Sequence, residues 1–211
     1  MSKKGILIVV SGFSGAGKGT IVKKLMNDYP DNYALSISAT TRSPRPGEED
    51  GREYFFRTRE EFEEMIRQDA LIEHASYVNN YYGTPKAYVE EQLNIGKDVI
   101  LEIEIQGALE IKEKFPDTLL LFISTPTADT LKNRLVGRGT EDMDTIQARL
   151  KRAVQEADGI ESYDYFVIND DLEACVEEIH AIVGCEHSRA SRNINLINQI
   201  REELAGFSEG E

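Results

Sequence analysis

Nine residues near the start of the chain, Gly12-Phe13-Ser14-Gly15-Ala16-Gly17-Lys18-Gly19-Thr20, have the types and the spacing to hold a phosphate. Glycines let successive backbone N–H groups turn inward around an anion, and a helix starting at their end adds partial positive charge. Lys18 adds a mobile point charge for the outer phosphates of a nucleotide. One position departs from the usual spelling. The residue after the lysine is Gly19, so the hydroxyl that would meet Mg²⁺ arrives one step late, on Thr20. The chemistry on offer is nucleotide binding through the phosphates.

Such a loop works only between a strand and a helix, and the sequence supplies both. Residues 5–11 read as a buried strand, and Ile21, Val22, Leu25 and Met26 recur at helical steps over 17–28. Further along, 33–38 alternates as a short strand, 40–47 is a loop, and Tyr54-Phe55-Phe56 is a second short strand. Thr58 with Glu61 forms a capping box for a helix carrying Phe62, Met65 and Ile66. A strand follows over 71–78 and a turn at Asn79-Asn80. Thr84-Pro85 reads as cap and first residue of a helix with Val89 and Leu93 inward, closed by Gly96. The runs 99–103, 119–123 and 165–168 are continuous and apolar, as buried parallel strands are. Between them lie helices with Ala108, Ile111 and Phe115, with Leu131 and Leu135, and with Ile146, Leu150, Val154 and Ala157 inward. Asp170 and Asp171 cap a helix stopped by Gly184, and a last helix spans roughly 187–204 before a frayed tail. Strands alternating with helices give an α/β fold: a three-layer core around a mostly parallel sheet.

At 211 residues the chain can bury a full core as one unit with insertions. No apolar run approaches a membrane span, and the short run after Lys3-Lys4 flows into the glycine turn rather than a cleavage site. Cys175 and Cys185 have no companion ligands and read as reduced thiols. The expectation is a cytoplasmic protein with no membrane partner. A net charge of −14 argues against a nucleic-acid partner. Within that acidic chain, residues 128–158 hold six basic side chains against six acidic ones, which suggests small anions handled at one place. His74, His180 and His187 lack metal spacing and read as structural or surface residues.

These pieces resemble guanylate kinases, over about residues 5–184. The motifs that carry the resemblance are the glycine turn, Ser38-Ala39-Thr40-Thr41-Arg42-Ser43-Pro44-Arg45, Asn80-Tyr81-Tyr82-Gly83-Thr84, Glu102-Ile103-Glu104-Ile105-Gln106-Gly107, Arg134-Leu135-Val136-Gly137-Arg138-Gly139 and Val167-Ile168-Asn169-Asp170-Asp171. The resemblance implies transfer of the γ-phosphoryl of ATP to GMP, with Mg²⁺ accompanying ATP. It implies a P-loop core of 1–35, 85–127 and 159–211, a mixed αβ GMP-binding insert at 36–84, and a helical lid at 128–158.

It also implies residue roles. Arg42 and Arg45 grip the GMP phosphate, since a guanidinium fork matches phosphate oxygens two at a time, and Tyr54 and Tyr82 add hydroxyls. Glu73 accepts the two adjacent donors of guanine while Ser38 and Thr84 donate to its carbonyl. Adenine offers Glu73 a lone pair instead. Glu102 and Glu104, two apart on one strand, face the same way near the base and metal, where the family often has aspartates. Arg134, Arg138 and Arg149 converge with Lys18 on the transferring phosphoryl, and Asn169 lies by the adenine or caps the next helix. No direct metal ligand is assigned. Two other readings use the same features: an inactive interaction module of this fold, or another nucleoside-monophosphate kinase. The segment after Gly184 either folds back on the core or pairs with a second copy as a homo-oligomer.

Overall fold

The computed structural model describes residues 4–77, 79–137 and 143–208. The chain runs β1 (Leu7–Gly12), α1 (Lys18–Asp28), β2 (Tyr33–Leu35), β3 (Ala39–Thr40), β4 (Phe55–Phe56), α2 (Arg59–Arg67), β5 (Leu71–Tyr77) and β6 (Asn80–Pro85). It continues through α3 (Lys86–Asn94), β7 (Asp98–Glu102), α4 (Ile105–Lys114), β8 (Leu119–Ser124), α5 (Ala128–Gly137) and α6 (Met143–Ala157). It ends with β9 (Tyr165–Ile168), α7 (Leu172–His187) and α8 (Ile194–Ser208).

Five strands in the order β2-β7-β1-β8-β9 form one sheet, and every neighbouring pair is parallel. A parallel sheet must be covered on both faces, which is why its strands are apolar throughout. Ile8, Val10, Leu121 and Ile123 point to the layer of α1 and α7. Val9, Leu101 and Leu120 point to the layer of α3 and α4. All of these side chains are at most 2% exposed, so trimming any one to alanine costs about 2–5 kcal/mol. Parallel strands share one carboxyl end, and β1 and β7 deliver the glycine turn and Glu102 to it.

A second, four-stranded sheet has the order β4-β3-β6-β5. Strand β3 pairs parallel with β4 and antiparallel with β6, and a small cluster of Ala39, Phe62 and Leu71 backs it. Helix α2 starts with the expected reciprocal cap, Thr58 Oγ1 accepting from Glu61 N and Glu61 Oε2 from Thr58 N.

Four expectations are corrected. Thr84 and Pro85 do not open a helix as cap and first residue: both end β6, and α3 starts at Lys86 without a side-chain cap. Gly184 does not stop α7, which runs on to His187 because Val183 and Glu186, on either side of it, are both buried. The last helical segment is not continuous, since a 3₁₀ turn at Ala190–Asn193 separates α7 from α8. Val154 is 71% exposed, so the buried side of α6 is set by Ile146 and Ala153. Among the described residues, no helix is long and apolar enough to cross a membrane.

Candidate active site

The glycine turn closes over the carboxyl end of β1. Gly17 takes φ +95, a left-handed conformation that side chains rarely adopt, and a Cβ there would lie 2.6 Å from Asn169 Nδ2. At Gly12 the constraint is space: a Cβ would sit 2.2 Å from the carbonyl oxygen of Ile123 on β8. Helix α1 begins directly after, with no side-chain cap and no acidic residue in its first turn. Its orphan N–H groups and dipole are therefore left for an anion.

Side chains from three directions brace this loop. Asn169, just past β9 and buried, donates from Nδ2 to the carbonyl of Ala16 at 2.7 Å. Arg134 of α5 donates to the carbonyls of Asn169 at 2.8 Å and Ala16 at 3.4 Å. From α6, Arg149 donates to Ser14 Oγ at 2.7 Å. Lys18 Nζ folds back to the carbonyls of Gly12 at 2.5 Å and Phe13 at 3.2 Å. Asn169 thus does not cap α7; that role falls to Asp171, which accepts from Ala174 N at 2.9 Å.

A cavity of about 470 Å³ lies between the loop and α6, lined by Ser14, Lys18, Glu102, Glu104, Arg149 and Arg152. Glu102 ends β7, and its Oε2 would be 3.8 Å from a Cβ at Gly19. Burial raises the Glu102 carboxyl above its ordinary value, and the nearby Lys18 ammonium pulls against that shift. Glu104 is not on the strand as expected, because β7 stops at Glu102 and Glu104 sits extended just before α4. It still lines the same cavity, where Arg152 of α6 pairs with it. A second cavity, of about 450 Å³, opens on the other side of the loop against Thr20, Arg134 and Asn169.

The second sheet gathers another polar group. The Arg42 guanidinium lies 5.3 Å from the ring centre of Tyr54 and faces the Tyr82 hydroxyl. It also pairs with Glu48 at 2.9 Å. Glu48 Oε2 accepts from the backbone N–H of Arg45 at 2.7 Å; that bond first, then Arg42, holds the Glu48 carboxyl below its ordinary value. Further along, Thr84 Oγ1, buried at the end of β6, donates to Glu73 Oε1 on β5 at 2.7 Å. Burial raises the Glu73 carboxyl, opposed by this hydrogen bond. Ser38 lies just ahead of β3, and its carbonyl accepts from Phe55 N at 2.9 Å.

Thus the structure groups Lys18, Arg134, Arg149 and Asn169 around the glycine turn, Arg42 with Tyr54 and Tyr82, and Glu73 with Thr84. Arg138 lies outside the described residues. Two participants escaped the sequence reading. Glu48 could have been suspected from its place three residues after Arg45 in a tight turn. Nothing local pairs Arg152 with Glu104, 48 positions away.

A parallel sheet, a glycine turn feeding an uncapped helix, and cations converging on both define a phosphate-loop nucleotide-binding protein. A family model described as guanylate kinase matches residues 4–186. A guanylate kinase of Bacillus anthracis is 51% identical over 203 residues, 96% of this chain and 99% of the relative. One from Caldanaerobacter subterraneus subsp. tengcongensis is also 51% identical, over 96% and 98% of the two chains. The crystal structure of guanylate kinase from Anaplasma phagocytophilum superposes with a TM-score of 0.73 at 30% identity, over 96% of each chain. The chain belongs to the guanylate kinase family.

Proposed function

We propose that this chain, an ATP:GMP phosphotransferase by its family, binds ATP at the glycine turn and GMP on the second sheet. In this reading 36–84 is the GMP-binding unit, 128–158 the lid, and the remainder the core. The observation that carries it is that Lys18, Arg149 and Arg42 rest on oxygens of the protein itself: the Gly12 carbonyl, the Ser14 hydroxyl and the Glu48 carboxylate. Phosphate oxygens offer the same kind of acceptor with more charge.

The β- and γ-phosphates take the N–H groups of Gly15, Gly17, Lys18 and Gly19 and the Lys18 ammonium, those of Ala16 and Thr20 being bonded to the carbonyls of Phe13 and Gly17, and the adenine lies toward Asn169 and Arg134. The GMP phosphate takes Arg42, Arg45, Tyr54 and Tyr82, displacing Glu48. A GMP phosphate oxygen then attacks the γ-phosphorus in line, the bond to the β-bridging oxygen breaks, and ADP leaves. Little covalent work falls to the protein, so positioning and positive charge carry the rate. Lys18, Arg134, Arg138 and Arg149 supply that charge. Closing α6 over the cavity excludes water, which would otherwise hydrolyse ATP.

Guanine is chosen by Glu73, aligned by Thr84, with Ser38 nearby and Glu102 and Glu104 on the core side. Adenine would strand buried polar groups there, a mismatch that can reach ~10⁴-fold. Mg²⁺ arriving with ATP would supply positive charge against the phosphates, and Thr20 and Glu102 are the residues that would hold it, through water or directly. Among the described residues no three His, Cys, Asp or Glu side chains cluster as ligands. A cation carried on phosphates and water, with Glu102 and Thr20 at hand, suits that donor set.

The test is a parallel assay of GMP, AMP, CMP and UMP with ATP and Mg²⁺. GMP should be phosphorylated at least ~10³-fold more efficiently than the others, consistent with selection by buried hydrogen bonds. Lys18→Ala should abolish turnover. Equal rates with AMP would overturn the base assignment, and an active Lys18→Ala protein would overturn the phosphate assignment.

A further inference from the structure

Arg149 and Arg152 stand three apart on α6 and so share a face, the one turned to the cavity of about 470 Å³. Their bonds differ. Arg149 rests on Ser14 of the phosphate loop, an acceptor that an arriving phosphate replaces. Arg152 donates from Nη2 to Glu104 Oε2, on the loop between β7 and α4. Its aim is fixed from behind: Arg152 Nε donates at 3.1 Å to Glu156 Oε1, four residues further along α6, and the Glu156 side chain is only 18% exposed. A planar guanidinium held on one edge presents the other at little further cost in entropy. Glu104 is equally committed. It stands at the N-cap of α4 but makes no capping bond to that helix, and its carboxylate reaches α6 instead. The bridge also divides space. A further cavity of about 500 Å³ lies on its other side, and the two share Glu104, Ile105, Arg152 and Glu156 as a common wall.

We propose that Arg152 is a positioning residue for phosphoryl transfer: its bond to Glu104 holds α6 where Arg149 can reach the transferring phosphoryl. This rests on ATP lying at the glycine turn, and it assigns Glu104, on the core side of the base, to the lid rather than to GMP. The Arg149–Ser14 bond is given up as phosphate arrives, so α6 then needs a second hold on the core, and the exchange does not touch Arg152. The pair joins elements 48 positions apart, so breaking it frees a whole helix and not one turn. Arg152 and Glu104 are 54% and 71% exposed, so solvent screens the bond and it shifts the placement of α6 by only about threefold to fivefold.

A double-mutant cycle on the full chain tests this, read as the single-turnover rate of GMP phosphorylation, with GMP affinity taken from isothermal titration. Arg152→Gln and Glu104→Gln should each slow transfer about threefold to fivefold and leave the GMP Kd within about twofold of wild type. Combined, they should lose no more than either alone, since both remove one bond. Losses that multiply in the double variant would overturn the proposal, as would a wild-type rate in either single variant. So would a GMP Kd raised by Glu104→Gln alone, because Glu104 would then act on the base. Lys18→Ala tests the underlying phosphate assignment separately: an active protein there sinks that reading, whereas an inactive one with a failed cycle sinks only the role of Arg152.

Discussion

Replacing Glu73 with glutamine should separate guanine recognition from stability. The wild-type carboxylate spends one oxygen on Thr84 Oγ1 at 2.7 Å, and under the proposed base assignment its remaining lone pairs would take the guanine donors. Glutamine can keep the Thr84 contact through its carbonyl but turns an N–H group toward a guanine donor. One charge-assisted hydrogen bond, worth about 1.5–3 kcal/mol, disappears, and a buried donor left facing another donor costs about 1–3 kcal/mol more. Together these lower kcat/KM for GMP by roughly a hundredfold or more, at about 1.4 kcal/mol per factor of ten. Stability should move the other way. Burial holds the Glu73 carboxyl above its ordinary value of 4.5, so the folded chain keeps that proton more firmly than the unfolded chain. A carboxyl raised in the folded state loses stability as pH climbs from the unfolded value through the folded one. Glutamine carries no such burden. Glu73→Gln should therefore melt above wild type at pH 8, with the gap narrowing towards pH 4–5. Initial rates with GMP at saturating ATP, alongside thermal melts at pH 5 and 8, read both effects. A kcat/KM within threefold of wild type would refute the recognition argument; a melting difference that ignores pH would refute the electrostatic one.

Three other outcomes are expected. Arg149→Ala should lower the single-turnover rate by about 10³-fold while leaving GMP affinity near wild type, as for a cation that acts mainly on the transferring phosphoryl; isothermal titration with GMP checks the second half. Gly17→Ala should cost about 1–3 kcal/mol in chemical denaturation, from strain at φ +95 and the crowded Asn169 amide. Because part of that cost is the clash, adding Asn169→Ala should give less than the sum of the two single losses. Glu186→Ala removes a carboxylate that is 2% exposed and accepts from Arg189, Arg192 and Tyr165. It should cost about 2–4 kcal/mol by urea unfolding, with GMP turnover per folded molecule unchanged.

The sequence is most legible where physics is local. The run into the glycine turn, the apolar β7, β8 and β9, and the Thr58–Glu61 cap are fixed by neighbours within a few residues. Strand β6 is not, because Asn80-Tyr81-Tyr82-Gly83-Thr84-Pro85 has no clear alternation. It becomes a strand through pairing with β3 and β5. Thr84 looks like a cap because a threonine before proline usually is one; in the fold its hydroxyl has Glu73 as partner. The same limit hides Arg152 beside Glu104: an ion pair made by tertiary approach leaves no spacing to read. Helix α7 passes Gly184 because one glycine costs only about 1 kcal/mol in a helix, less than the burial of its neighbours returns.

The small sheet has a kinetic consequence. Arg42, Tyr54, Glu73, Tyr82 and Thr84 all hang from its strands or the loops between them, whereas the glycine turn, Asn169 and Arg134 belong to the larger sheet and its helices. Under the proposed assignment each nucleotide's contacts lie mostly on its own sheet, so neither substrate should have to arrive first to build a seat for its companion. Addition should be random, with double-reciprocal lines that intersect whichever nucleotide is varied.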